Sequence, residues 1–120
     1  MPSAIPIFRS RRIADAVRFY TEVLGFSLDW GDTSNDPSYV SLSWHGAQIH
    51  VSSFPEGAAF GSSAYIFVDS VDELLRQFAG AGLEDVRGPF DQTWGRRELH
   101  VQDPDANGLC FGAPPGSGPR

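Results

Sequence analysis

A chain of 120 residues with 41% hydrophobic content has the material for one domain with a sizeable core, and a second domain does not fit. Its net charge of −6 makes nucleic acid a poor partner and a cationic ligand a better one, although plain solubility would account for the same charge, and with nine arginines and no lysine it excludes Schiff-base chemistry and a phosphate-loop lysine. No apolar run nears the roughly 20 residues that cross a bilayer, no leader-like amino terminus is present, and the single Cys110 excludes an internal disulfide, so a cytoplasmic protein without a membrane partner is expected.

Residues 4–8 read as a short strand and residues 9–12 as a basic connector. Ile13, Ala16, Val17, Tyr20, Val23 and Leu24 then recur at helical spacing, and Gly25 closes that helix. Phe26, Leu28 and Trp30 alternate with Ser27 and Asp29, which predicts a second strand; residues 31–38 carry Gly, Asp, Asn and Pro and form a loop. A hairpin is predicted over residues 39–44 and 47–53 about His45-Gly46, with His45 in solvent at the turn. Residues 54–62 form the linker between halves. Beyond it, residues 63–68 read as a strand, and Ser70 with Glu73 has capping-box spacing ahead of Val71, Leu74, Leu75 and Phe78. That helix ends in Gly80-Ala81-Gly82, and a weaker strand over residues 83–87 leads through Gly88-Pro89 to the last hairpin.

The order strand, helix, three strands occurs twice. Phe8 and Phe19 are 11 apart, as are Phe67 and Phe78; Phe67 lies 59 beyond Phe8, and Ile49-His50-Val51 shifted by 60 gives Leu109-Cys110-Phe111. Internal duplication is the simplest account. The expected fold is α+β with two βαβββ repeats forming a cleft, helices on the convex side. Repeat one covers about 4–53 and repeat two about 63–112, within a single domain 1–113; residues 114–120 are an expected flexible tail.

The last hairpin offers two chemically distinct faces. Leu99 and Val101 point one way and Glu98, His100 and Gln102 the other; after the Asp103-Pro104-Asp105-Ala106-Asn107-Gly108 turn, Leu109 and Phe111 oppose Cys110. The run from Trp94-Gly95-Arg96-Arg97-Glu98 through Val101, Asp103-Pro104 and Asn107-Gly108 resembles the last hairpin of the vicinal oxygen chelate superfamily, the glyoxalase and bleomycin-resistance proteins. Residues 16–26 are similar to that superfamily's first helix and its exit, and Trp94-Gly95-Arg96 is most similar to the bleomycin-resistance and glyoxalase-like branch. The resemblance implies the glyoxalase/bleomycin resistance protein fold and a homodimer, with the Pro2 to Pro6 region as a candidate swapping arm.

It also implies where a metal would sit. The superfamily's enzymes hold a divalent ion on His and Glu from the first and last strands of each unit, which by position are Ile5, His50, Ala64 and Cys110 here. Isoleucine and alanine offer no ligand, so neither metal nor other cofactor is expected, and no catalytic residue is assigned. Two chemical alternatives stand beside this. His50, His100 and Glu98 are the makings of a two-histidine, one-carboxylate site for a dioxygenase-type enzyme, lyase or isomerase, and Cys110 is a candidate nucleophile with His50 or His100 as base. Of Arg96 and Arg97, adjacent on a strand, only one can face the cleft.

The aromatics give the leading reading. Trp30, Tyr39, Phe54, Tyr65 and Trp94 sit at loop edges or on faces opposed to the core, where planar rings can sandwich a flat cation, with Asp29, Asp32, Asp36 and Glu98 supplying charge; edge packing is the plainer alternative for each. The expected ligand-binding set is Trp94, His50, His100, Glu98, Trp30, Tyr39, Phe54 and Tyr65. The resemblance then implies a metal-free protein that binds and sequesters a small molecule, a planar cationic antibiotic in the bleomycin-resistance pattern.

Overall fold

Ile13, Ala16, Tyr20 and Leu24 are all buried, one stripe of a helix that starts at Ile13. Its first N–H is capped from a distance, donating to Asp36 Oδ1 at 3.0 Å. After α1 (Ile13–Arg18) the turns widen to π geometry over Phe19–Val23, and Gly25, at φ +82°, reverses the chain so that Phe26 N–H donates back to the Tyr20 carbonyl. The second helix, α2 (Val71–Gly80), buries Val71, Leu74 and Phe78. Only half of its expected capping box forms: Ser70 Oγ accepts the Glu73 N–H at 3.3 Å, while the Glu73 carboxylate pairs with Arg76 instead of reaching back.

Residues 2–117 are described in this computed structural model. The strands are β1 (Ile7–Arg9), β2 (Ser27–Trp30), β3 (Tyr39–Trp44) and β4 (Ala47–Ser52), then β5 (Ser63–Phe67), β6 (Val86–Asp91), β7 (Arg97–Gln102) and β8 (Gly108–Ala113). They form two sheets of the same plan, β1-β4-β3-β2 and β5-β8-β7-β6, each with its first strand parallel to its last and the other pairs antiparallel. This is the duplicated βαβββ architecture. α1 packs on β3 and β4, and α2 on β6, β7 and β8, leaving the opposite face of each sheet without a helix. Neither helix is long and apolar enough to cross a membrane.

The register corrects the repeat arithmetic by one residue. Ile13 corresponds to Val71, Ala16 to Leu74 and Tyr20 to Phe78, an offset of 58. In the first strands, Phe8 pairs with Val51 while Ile66 pairs with Phe111, so Ile66 is the partner of Phe8 in the repeat. Phe67 instead corresponds to Arg9 and is 70% exposed; the matched Phe-to-Phe spacing of 11 joined a core residue to a surface one.

Three boundaries also move. β1 starts at Ile7 rather than residue 4, because Pro6 has no N–H and enters the ladder only as an acceptor for His50 N–H, at 3.0 Å. β6 does not stop before Gly88-Pro89 but runs through it, the register slipping between Arg87 and Phe90 with Gly88 at φ +107°. A bulge on an edge strand is where proline can be carried. Leu83, expected in that strand, is buried at the exit of α2, its N–H on the Phe78 carbonyl. β2 has the matching slip between Leu28 and Trp30, so Asp29 and Trp30 lie on one face instead of alternating: Asp29 accepts from Ser41 and Ser43, and Trp30 stacks on Tyr39. Residues 114–117 form a turn, and the rest of the expected tail, 118–120, lies outside the described residues.

One core serves both units. Trp44 stacks on Phe26 and meets Phe78 and Phe111 edgewise or tilted, joining the helix side of one sheet to that of the other. A polar staple accompanies it. Asp103 Oδ1 accepts the N–H of Asp105 and of Asn107 and its Oδ2 accepts Tyr20 OH at 2.7 Å, while Asn107 Nδ2 donates to the Arg9 carbonyl and Asp105 holds Arg11. The Asp103-to-Gly108 turn thus ties the second unit to the first. Its place in the last hairpin is architectural.

Candidate functional site

Both sheets turn an uncovered face to the outside, and seven of the eight expected ligand-binding residues divide between them. On the first face, Trp30 and Tyr39 stack nearly parallel at 6.0 Å between centroids, and His50 meets both rings edgewise. His50 Nδ1 lies 2.7 Å from Tyr39 OH, and its Nε2 is buried without a hydrogen-bond partner among the described residues. Phe54 stands apart at the start of the linker, its N–H on Ser52 Oγ and its carbonyl accepting from Gly57.

The second face brings together Tyr65, Trp94, Glu98 and His100. Glu98 is 2% exposed, though it lies on the side that no helix covers. The cause is the two rings above it: Tyr65 OH and Trp94 Nε1 both donate to Oε2, at 2.8 and 3.0 Å. Gly112 makes this possible, because a Cβ there would fall inside the Tyr65 phenol; only glycine lets the ring lie flat across β8 toward Glu98. Glu98 Oε1 takes Gln92 Nε2 and His100 Nε2, each at 3.2 Å. Burial by itself would raise the Glu98 pKa, but the donors Trp94, Tyr65 and Gln92 outweigh it and hold the carboxyl below its usual value. Glu98 is therefore a buried, ionised carboxylate.

Its neighbours respond to that charge. Burial, then the Glu98 hydrogen bond and charge, push the Tyr65 phenol up to about 12. Burial, then Glu98, push the Cys110 thiol up to about 12 as well. A thiol so placed stays protonated at neutral pH, which removes the thiolate that a Cys110 nucleophile would need.

The register also fixes who meets whom. Cys110 sits opposite His100 across the β7–β8 ladder, with Sγ 3.9 Å from Nε2, and not beside His50 as the repeat suggested. His50, on the first sheet, joins neither His100 nor Glu98, so the chain does not assemble that two-histidine, one-carboxylate set within one protomer. The superfamily's metal positions shift too: His50 faces Ile7 and Cys110 faces Tyr65, while Ala64 packs toward the core. Isoleucine has no donor and the Tyr65 phenol is committed to Glu98, so these positions do not fit the family's metal.

Of the two arginines, Arg97 turns to the helix side, where its guanidinium takes both Asp72 oxygens at 2.9 Å and also Asp91. Arg96 stays on the open side, its guanidinium over the Phe67 ring. A cavity of about 400 Å³ opens over the second face, lined by Ser63, Arg87, His100 and Cys110 among residues that all follow position 60. Arg87 and Cys110 are the lining residues that the aromatic reading passed over. The His100-opposite-Cys110 pairing is set by the length of the hairpin turn, with Gln102 opposite Gly108 and Val101 opposite Leu109.

Comparison with known proteins adds the lineage. The profile of the Glyoxalase/Bleomycin resistance protein/Dioxygenase superfamily matches residues 6–111. Among solved structures, a bleomycin resistance determinant encoded on the transposon Tn5 superposes with a TM-score of 0.78 at 23% identity, over 95% of this chain and 98% of that one. A bleomycin-binding protein from bleomycin-producing Streptomyces verticillus, complexed with copper(II)-bleomycin, gives 0.76 at 25% identity over 94% and 96%. A glyoxalase-related enzyme from Clostridium phytofermentans gives 0.77 at 17% identity over 95% of each chain. No curated protein sequence matches.

Proposed function

Because the chain belongs to the glyoxalase/bleomycin resistance protein/dioxygenase superfamily, we propose that it binds and sequesters a small molecule in the manner of the bleomycin-binding members, the ligand being a flat, cationic antibiotic. The observation that carries this reading is the second open face, where exposed Tyr65 and Trp94 rings stand over an ionised Glu98 carboxylate. Aromatic faces hold a planar group, and the charge beneath them favours a cation. The first face, with its Trp30–Tyr39 stack, is a second platform without a buried carboxylate at its base.

The same surfaces support a homodimer. Ile7, Trp30, Tyr65, Phe67 and Trp94 are exposed in the protomer, more large apolar surface than a solitary soluble domain usually presents. Laying the first face of one copy over the second face of another covers these residues and converts two shallow platforms into a cleft.

The test is isothermal titration of the purified protein with copper(II)-bleomycin and with copper-free bleomycin, alongside its mass in solution. A dimer binding one ligand per chain is expected, with Trp94→Ala weakening binding about tenfold or more. Absence of binding by both forms, or Trp94→Ala binding as the wild type does, overturns the reading.

A further inference from the structure

We propose that Glu98, His100 and Cys110 form a site for a single divalent ion of zinc-like chemistry, distinct from the metal positions of the superfamily. Candidate ligand atoms of the three residues all lie within 4.8 Å of one another. His100 Nε2 is the hinge of the set, 3.2 Å from Glu98 Oε1 and 3.9 Å from Cys110 Sγ. Ligands around a tetrahedral zinc stand about 3.4–3.6 Å apart, given metal–ligand bonds of about 2.0–2.3 Å, so the pairs on His100 are close to that spacing already and side-chain rotations that move ligand atoms by up to about 1 Å bring the trio into coordination.

The hairpin delivers these three by construction. Glu98 and His100 are two apart on β7 and so share a face, and Cys110 is the ladder partner of His100 on β8. No distant loop has to close. The surroundings are those of a ligand set: Tyr65 OH and Trp94 Nε1 hold Oε2 of Glu98 and leave Oε1 toward His100, an outer-shell arrangement that orients a coordinating carboxylate. The remaining contact on Oε1 is Gln92 Nε2 at 3.2 Å, which the ion would displace. His100 and Cys110 both line the cavity over this face, so the fourth position opens to water or to a bound molecule. The Cys110 thiol gives up its proton to solvent as the ion binds, because a coordinating thiol is deprotonated by the metal's charge; the resulting thiolate, with imidazole and carboxylate, selects zinc, or cobalt(II) as its spectroscopic stand-in, over magnesium or calcium.

The site shares Cys110 with the superfamily's positions but takes its other two donors from β7, which contributes none of them. It shares Glu98 with the antibiotic reading but is tested with metal alone, so either can fail without the other. Titrating the full-length protein with cobalt(II) should give one equivalent per chain, the visible bands of a four-coordinate ion and a thiolate-to-cobalt charge-transfer band in the near ultraviolet. Cys110→Ser should abolish the charge-transfer band, and His100→Ala should weaken binding at least tenfold. His45→Asn, at the exposed turn between β3 and β4 where asparagine tolerates the positive φ, should leave both unchanged. As a second measure on the unmutated protein, zinc should raise the melting temperature, and its uptake should release protons from the Cys110 thiol. A wild-type titration without the charge-transfer band, a zinc addition that releases no protons and leaves the melting temperature unchanged, or a loss in His45→Asn equal to that in His100→Ala would overturn the proposal.

Discussion

The two open faces are built on the same backbone plan and have parted in chemistry. Each sheet has the same strand order, the same parallel first-to-last pairing and a register slip in its outermost strand, at Asp29 in one and at Gly88-Pro89 in the other. On the helix side the repeat is still legible residue by residue, Ile13 with Val71, Ala16 with Leu74, Tyr20 with Phe78. On the open side it is gone: where the first face has Ile7 beside His50, the second has Tyr65 beside Cys110. The difference separates two kinds of constraint. Packing against a helix punishes any change of volume, so the buried pattern persists, whereas an uncovered face is free to acquire a function.

The largest effect should come from the part the two units share. Phe111 packs on Trp44 of the first unit and on Phe78 of the second, so Phe111→Ala should cost about 3–5 kcal/mol in urea denaturation. Loss should appear as one transition, because a single core spans both halves. Separate melting of the two halves would break the picture of a common core.

The next effect distinguishes the faces. Glu98→Ala removes an ionised acceptor from Tyr65, Trp94, Gln92 and His100 and should destabilise by about 2–3 kcal/mol, whereas His50→Ala on the first face removes one bonded partner, Tyr39, and should cost about 0.5–1 kcal/mol. The same contrast has a pH signature. The Glu98 pKa lies below its usual value in the folded chain, so its contribution is fully present above the unfolded glutamate pKa of about 4.3 and is lost as pH falls through the lower folded value. Stability measured from pH 6 downward should therefore fall more steeply in the wild type than in Glu98→Gln. Parallel curves would mean that the carboxylate is held no better folded than unfolded.

A smaller change isolates the device that covers Glu98. Gly112→Ala should push the Tyr65 ring off β8 and free its phenol from the carboxylate. In a spectrophotometric titration the Tyr65 pKa, pushed up to about 12 in the native arrangement, should move toward the ordinary tyrosine value of about 10. An unmoved titration would show that the ring finds Glu98 by another route.

Sequence reading reached the architecture because period and punctuation are backbone properties. Two helical stripes, a His45-Gly46 turn with both residues at positive φ and an Asp-Pro-Asp-Ala-Asn-Gly turn are enough to order the strands. It missed what depends on counting across a turn or through a bulge. One extra residue at Asp29 turns Trp30 onto the open face, and a strand that accepts Pro89 at a register slip looks like a loop. The same one-residue sensitivity set Phe67 in place of Ile66. Of the site, the residues were legible but their company was not. Glu98, His100 and Trp94 were expected together with His50, yet hairpin register gives His100 to Cys110 and leaves His50 with Trp30 and Tyr39. That Glu98 is buried could not be read at all, because it depends on a phenol 33 positions away lying across a glycine.

The finest test is on the first face, at the hydrogen bond between Tyr39 OH and His50 Nδ1. Tyr39→Phe keeps the ring that stacks on Trp30 and removes only the hydroxyl, so the aromatic platform survives while His50 is left with both ring nitrogens unpaired, Nε2 being already without a partner. A hydrogen bond of this sort contributes about 0.5–1.5 kcal/mol, below the loss expected at Glu98, where the acceptor is charged. If the first face acts only as a stacking surface, bleomycin titrations of Tyr39→Phe should match the wild type to within about twofold, since ring area and not the hydroxyl does the holding. Glu98→Gln, with its shape kept and its charge removed, should weaken binding more. The reverse order would move the polar recognition onto the first face and make His50, rather than Glu98, the group that reads the ligand.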